Sequence, residues 1–96
     1  MGQFTEGDVT IVATSEKSAE AIADQIQILD EYIKTKTDEP FGTSIHDIDS
    51  DGTCVYVSLS SGRYPNAEWQ CKQILEMVKD LFKGELVSFS ADLTVP

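Results

Sequence analysis

Apolar residues along this chain recur alternately every second position and every three to four positions, and that switching of period limits the available folds more than any other feature. In residues 8–14, Val9, Ile11 and Ala13 fall on one side, as in a strand with one buried face. Ser15 follows as a helix N-cap, and Glu16 suits the positive end of the helix dipole. Ala19, Ile22, Ile26, Leu29 and Ile33 then form the stripe of an amphipathic helix, and Pro40 closes the linker after it.

Residues 41–48 and 53–60 read as two extended runs joined by Asp49-Ser50-Asp51-Gly52, with Val55, Val57 and Leu59 lining one face of the second. An Asp-Gly turn between such runs specifies a hairpin. Beyond Ser60-Ser61-Gly62-Arg63, Pro65 opens a second helix. Its stripe is Ala67, Cys71, Ile74, Val78 and Leu81, widened by Leu75 and Phe82 and stopped by Gly84. A last strand sets Val87, Phe89, Ala91, Leu93 and Val95 on one face. The order is β-α-β-β-α-β. Two right-handed crossovers wrapped around a hairpin give an α+β, ferredoxin-like sandwich, a four-stranded antiparallel sheet with two helices on one face. At 96 residues the chain has room for one such domain, spanning residues 1–96.

Charge narrows the function. Seventeen acids against seven bases leave a net charge of −10. A nucleic-acid binder needs a basic face to displace counterions, and an anionic membrane attracts basic segments, so neither is expected as a direct partner. The absence of a basic-then-apolar leader and of a long apolar run points to a cytoplasmic protein. Cys54 and Cys71 lie in a strand and a helix, outside any C-x-x-C pair. They read as reduced packing cysteines, with a Cys54–Cys71 disulfide as the other possibility. No cofactor is expected.

The acids are concentrated. Residues 16–51 hold ten acids and three bases, a net −7 over the first helix, the linker and the hairpin tip. Glu16, Glu20 and Asp24 stack at i, i+4 and i+8 with an axial spacing of about 6 Å. Such like-charge pairs weaken a helix, so selection for helix stability alone would avoid them. Their spacing is comparable to that of successive phosphates on a nucleic-acid strand. The competing reading is a solvated acidic face that keeps a small protein soluble.

Asp47, Asp49 and Asp51 with Gly52 reproduce the opening of an EF-hand loop, but its twelfth position is Ser58 and its flanks are extended. That leaves at best a weak cation site, or an Asp-rich turn bonding its own backbone. His46, the only histidine, lies beside those acids without a nucleophile that the sequence singles out. Ser60-Ser61-Gly62-Arg63 lacks the spacing and lysine of a phosphate loop. On the second helix Trp69 lies opposite the apolar stripe, beside Gln73, Glu76 and Asp80. It reads either as an interface anchor or as a ring folded onto Tyr64 or Pro65 at the helix start.

Familiar users of this fold can be tested by motif. The third strand, Thr53-Cys54-Val55-Tyr56-Val57, has one suitable ring and no basic partner for an RNA-recognition motif. Thr14-Ser15-Glu16-Lys17 stands where a metal chaperone has C-x-x-C, and no arginine lies near the first strand as an acylphosphatase requires. In size, charge and element order the whole chain resembles the small acidic inhibitors of phages and mobile elements, of anti-restriction and anti-CRISPR type. The resemblance carries no motif from which site residues could be transferred. It implies a non-enzymatic inhibitor that docks on a basic, nucleic-acid-handling surface of a larger complex, by charge or nucleic-acid mimicry. Glu16, Glu20, Asp24, Asp47, Asp49, Asp51, Glu76 and Asp80 would supply charge and Trp69 an apolar anchor, with the protein a monomer or weak dimer.

The alternative is an ACT-like regulatory domain that binds a small molecule as a dimer through an apolar outer sheet face. Val12, Tyr56 and Leu86 are expected there, but so are Thr10, Thr14, Ser58, Ser88, Ser90 and Asp92.

Overall fold

The computed structural model describes residues 5–36, 43–61 and 64–94. They form β1 (Thr5–Ala13), α1 (Glu16–Lys36), β2 (Thr43–Asp51), β3 (Cys54–Ser61), α2 (Tyr64–Leu81) and β4 (Leu86–Thr94). The sheet order is β2-β3-β1-β4 and every neighbouring pair is antiparallel. Each helix therefore links two parallel strands with one strand between them, which is the ferredoxin-like α+β architecture.

The core lies between the helices and one face of the sheet. Val9, Ile11 and Ala13 of β1 and Val55, Val57 and Leu59 of β3 are buried, beneath Ala19, Ile22 and Ile26 of α1 and Ala67, Ile74 and Val78 of α2. Ser15 caps α1, its Oγ accepting the Ser18 N–H at 3.1 Å. The Ser18 hydroxyl in turn donates to Glu85 Oε1 at 2.6 Å, tying the start of α1 to the connection before β4. Gly7 faces the core between its strand partners Leu59 and Leu93, and a Cβ there would lie 2.8 Å from Leu93 Cδ2 and 2.9 Å from Leu59 Cδ1. A side chain at that position would displace both leucines.

Several expectations need correction. The hairpin turn is Gly52-Thr53, with Gly52 at φ 60, the left-handed value that tight hairpin turns demand. Asp47, Asp49 and Asp51 consequently belong to a strand and not to a tip. Leu81 is exposed, because the turn through Gly84 (φ 80) tucks Phe82 into the core in its place. In β4 a bulge pairs Ala13 with Leu86 and Val12 with Ser88, leaving Val87 unopposed. Leu86 thus packs on the core, where the sequence placed it outside, and Val87 is 63% exposed, where the sequence placed it inside. Pro40 and Val95 fall outside the described residues, as does the side chain of Ile33.

Candidate functional site

The face of the sheet turned away from the helices has an unusual chemistry. Alternation places Glu6, Asp8, Thr10 and Val12 of β1 there, with Cys54, Tyr56, Ser58 and Ser60 of β3. From β4 come Ser88, Ser90, Asp92 and Thr94. From β2 come Asp47, Asp49 and Asp51, opposite Ser58, Tyr56 and Cys54 respectively. The face thus holds six carboxylates among hydroxyl groups, and none of the four strands contains a lysine or arginine.

A bulge makes this arrangement possible. Ile45 and Ile48 both pack against the core, although they lie three positions apart and strict alternation would oppose them. The register shifts between Ile45 and Asp47, so His46 is the extra residue of β2. Were His46 instead paired as a regular strand residue, the parity of Ile45 would turn Asp47, Asp49 and Asp51 into the core. The His46 ring reaches Ser60 on the outer face, with Nε2 and Oγ 2.6 Å apart, which pins the bulge.

Polar contacts on the face are sparse and local. The Ser58 hydroxyl donates to Asp8 Oδ1 at 3.3 Å. Asp8 stands directly opposite Asp92, a like-charge cross-strand pair that weakens the sheet. A hydrogen bond with the Cys54 thiol, the charge on Cys54 and the fields of Asp51 and Asp49 hold the Tyr56 phenol above its usual range. The Asp47, Asp49 and Asp51 side chains leave the strand at intervals of about 7 Å and do not wrap a common point. No group of three or more metal-ligating side chains is arranged to hold an ion among the described residues.

The remaining sequence candidates lie elsewhere. Glu16, Glu20 and Asp24 are exposed on α1, on the opposite side of the molecule from the three β2 aspartates. Among the described residues, the acids of the 16–51 stretch are therefore split by the sheet instead of forming one patch. Glu76 and Asp80 are exposed on α2, while Trp69 beside them is half-buried. Lysines 17, 72, 79 and 83 punctuate the same helical side. Cys54 lies on the outer face and Cys71 on the buried side of α2, so the sheet separates them and both thiols are free. The sequence reading missed Glu6, Asp8 and Asp92, which join the face from β1 and β4. Their outward parity was the signal that could have found them.

On the helical side an open groove of about 310 Å³ runs between α2 and β4, floored by Leu75, Phe89 and Leu93 with Glu68 and Lys72 at its rim. Burial and the charge of Glu68 push the Cys71 thiol there up to about 11, which keeps it protonated and unreactive. At one end of the core Thr5, Ser61 and Gln70 are buried polar groups. The Gln70 Nε2 finds no hydrogen-bond partner among the described residues. No described helix is long and apolar enough to cross a membrane.

No known protein-family profile matches this sequence, and no curated protein matches it. Solved structures do. A protein from Nitrosomonas europaea assigned to the antibiotic biosynthesis monooxygenases superposes with a TM-score of 0.72 at 14% identity, over 100% of this chain and 92% of that one. A de novo designed protein with a ferredoxin fold gives 0.61 at 17% identity, over 96% and 83%. A dimeric ferredoxin-like protein from an uncultured marine organism gives 0.63 at 12% identity, over 100% and 89%. An enzyme-like protein, a designed chain and a dimer share this backbone, so the likeness establishes the ferredoxin-like fold and leaves activity to the chain's own residues.

Proposed function

We propose that this protein is a non-enzymatic inhibitor that docks on a basic, nucleic-acid-handling surface of a larger complex, with the outer sheet face as its principal contact. One observation carries the reading: β1, β2 and β4 bring six carboxylates to one face of a sheet whose four strands contain no lysine or arginine. Selection for stability alone disfavours this arrangement, because Asp8 opposes Asp92 directly and no strand supplies a lysine or arginine to neutralise it. A surface of one sign steers a partner of the other sign and repels wrong ones. The hydroxyls between the carboxylates can accept or donate hydrogen bonds at the same interface.

The acids of the helical side, Glu16, Glu20 and Asp24 on α1 and Glu76 and Asp80 on α2, supply long-range steering and a secondary contact. They are interspersed with lysines, so their local field is weaker than that of the sheet. Type resemblance to phage and mobile-element inhibitors agrees with this assignment of roles. Stacking two copies through this face, as an ACT-like dimer of the kind considered above would require, would oppose two sets of carboxylates.

The test is capture from a host lysate at low and high salt, with wild type and an Asp47→Lys/Asp49→Lys variant as bait. A basic nucleic-acid-handling complex retained by wild type, released by salt and lost from the variant is the expected result. Capture that ignores both salt and charge reversal, or a salt-resistant dimer on a sizing column, would overturn the proposal.

A further inference from the structure

We infer that Tyr56 is an arginine-reading position, where the docked protein lays a guanidinium on the Tyr56 ring and pairs it with the Asp49 and Asp51 carboxylates. This rests on the docking reading above and names the residue that the face selects. Tyr56 occupies the middle of the outer face. Its direct cross-strand neighbours are Thr10 and Asp49, and Cys54 and Ser58 flank it along β3. Asp51 and Asp47 stand opposite those two, and Asp8 lies opposite Ser58 on the other side. Directly opposite side chains in such a sheet are about 5 Å apart and diagonal ones about 7–8 Å, so all four carboxylates surround one ring within the reach of a single cationic side chain.

Tyr56 is the only phenylalanine, tyrosine or tryptophan that the described strands present on that face, and it remains 44% exposed. A ring held open to solvent at the centre of a ring of carboxylates is a surface for a planar cation. Guanidinium fits it better than ammonium: it stacks flat on an aromatic face and donates two parallel hydrogen bonds to a carboxylate, while ammonium is a strongly hydrated point charge. The phenol, held above its usual range by Cys54 and by the neighbouring Asp51 and Asp49, stays uncharged at neutral pH. Charge complementarity thus selects a cation, and the ring selects which cation.

The experiment compares two blocked pentapeptides, Gly-Arg-Gly-Arg-Gly and Gly-Lys-Gly-Lys-Gly, titrated into the full chain at low salt and followed by backbone amide shifts. Basic residues two apart in an extended peptide match the spacing of alternate aspartates on β2. Both peptides should shift amides of β2 and β3, with the arginine peptide bound about three-fold more tightly, the size of an exposed cation–π contact. Tyr56→Phe should keep that preference and Tyr56→Leu should abolish it. Each variant alters an exposed side chain, and its fold is checked by the unchanged amide pattern of β1 and β4. Equal affinity of the two peptides on this face, or a preference that survives Tyr56→Leu, overturns the arginine reading and leaves the docking reading intact. Failure of both peptides to shift the sheet face overturns both.

Discussion

The two faces of this sheet are built from alternate residues of the same strands, yet they are chemically opposite. Along β3, Val55, Val57 and Leu59 are buried while Cys54, Tyr56, Ser58 and Ser60 between them face outward. The inner face is mainly hydrocarbon under two helices, and its stability comes from area removed from water. The outer face has carboxylates and hydroxyls, lacks any lysine or arginine, and contains a like-charge pair at Asp8 and Asp92. The difference teaches where selection for stability stops. A face that only needed to be soluble could alternate signs at no cost, as the two helices do with their lysines.

The largest effect should come from the inner face. Ile74→Ala, at a fully buried position, should lower stability by about 2–5 kcal/mol in urea titration. Ser90→Ala on the outer face should stay within about 0.5 kcal/mol. Comparable losses at the two sites would break the contrast. Thiol chemistry sharpens it next, since one cysteine lies on each side. With its thiol raised from 9.0 to about 11, folded Cys71 should react about a hundred-fold more slowly than the unfolded thiol near neutral pH. Half-exposed Cys54 should account for the labelling of the native protein, read by mass spectrometry.

Smaller effects test the compromises within each face. Gln70→Leu removes a buried amide nitrogen that has no partner among the described residues, and should stabilise the fold by about 1 kcal/mol. A loss there would mean that the amide is satisfied in solution. Asp8→Asn relieves the repulsion with Asp92 and should raise stability by about 0.2–1 kcal/mol, less so in high salt. The same substitution should weaken the docked complex. A variant that gains both stability and affinity would contradict the claim that the acids are retained for binding.

The inner face was legible in the sequence because burial imposes a period that does not depend on the partner strand. Val9, Ile11, Ile22, Ile26, Ile74 and Val78 all occupy the core positions that their spacing assigned. The outer face was only partly legible, for two physical reasons. Its carboxylates come from β1, β2 and β4, and only the sheet order brings Asp8 beside Asp92 and sets Asp47 in line with them across Ser58 of β3. A count along the chain therefore joined Glu20 and Asp24 to Asp49 and Asp51, which the sheet separates. Bulges also defeat parity: the extra residue His46 turns the three β2 aspartates outward, and unopposed Val87 exchanges roles with Leu86. Trp69 illustrates a third limit, since its half-burial depends on surroundings that a helical wheel does not contain.

The central claim is that the outer sheet face, and not acidity in general, binds the basic partner. Two triple variants change the net charge equally: Asp8→Lys/Asp47→Lys/Asp49→Lys on the sheet and Glu16→Lys/Glu20→Lys/Asp24→Lys on α1. Their affinities for the captured complex, measured side by side at one salt concentration, separate position from charge. The expected result is that the sheet variant loses binding while the helix variant keeps most of it. Equal losses, or a greater loss from the helix variant, would contradict the account.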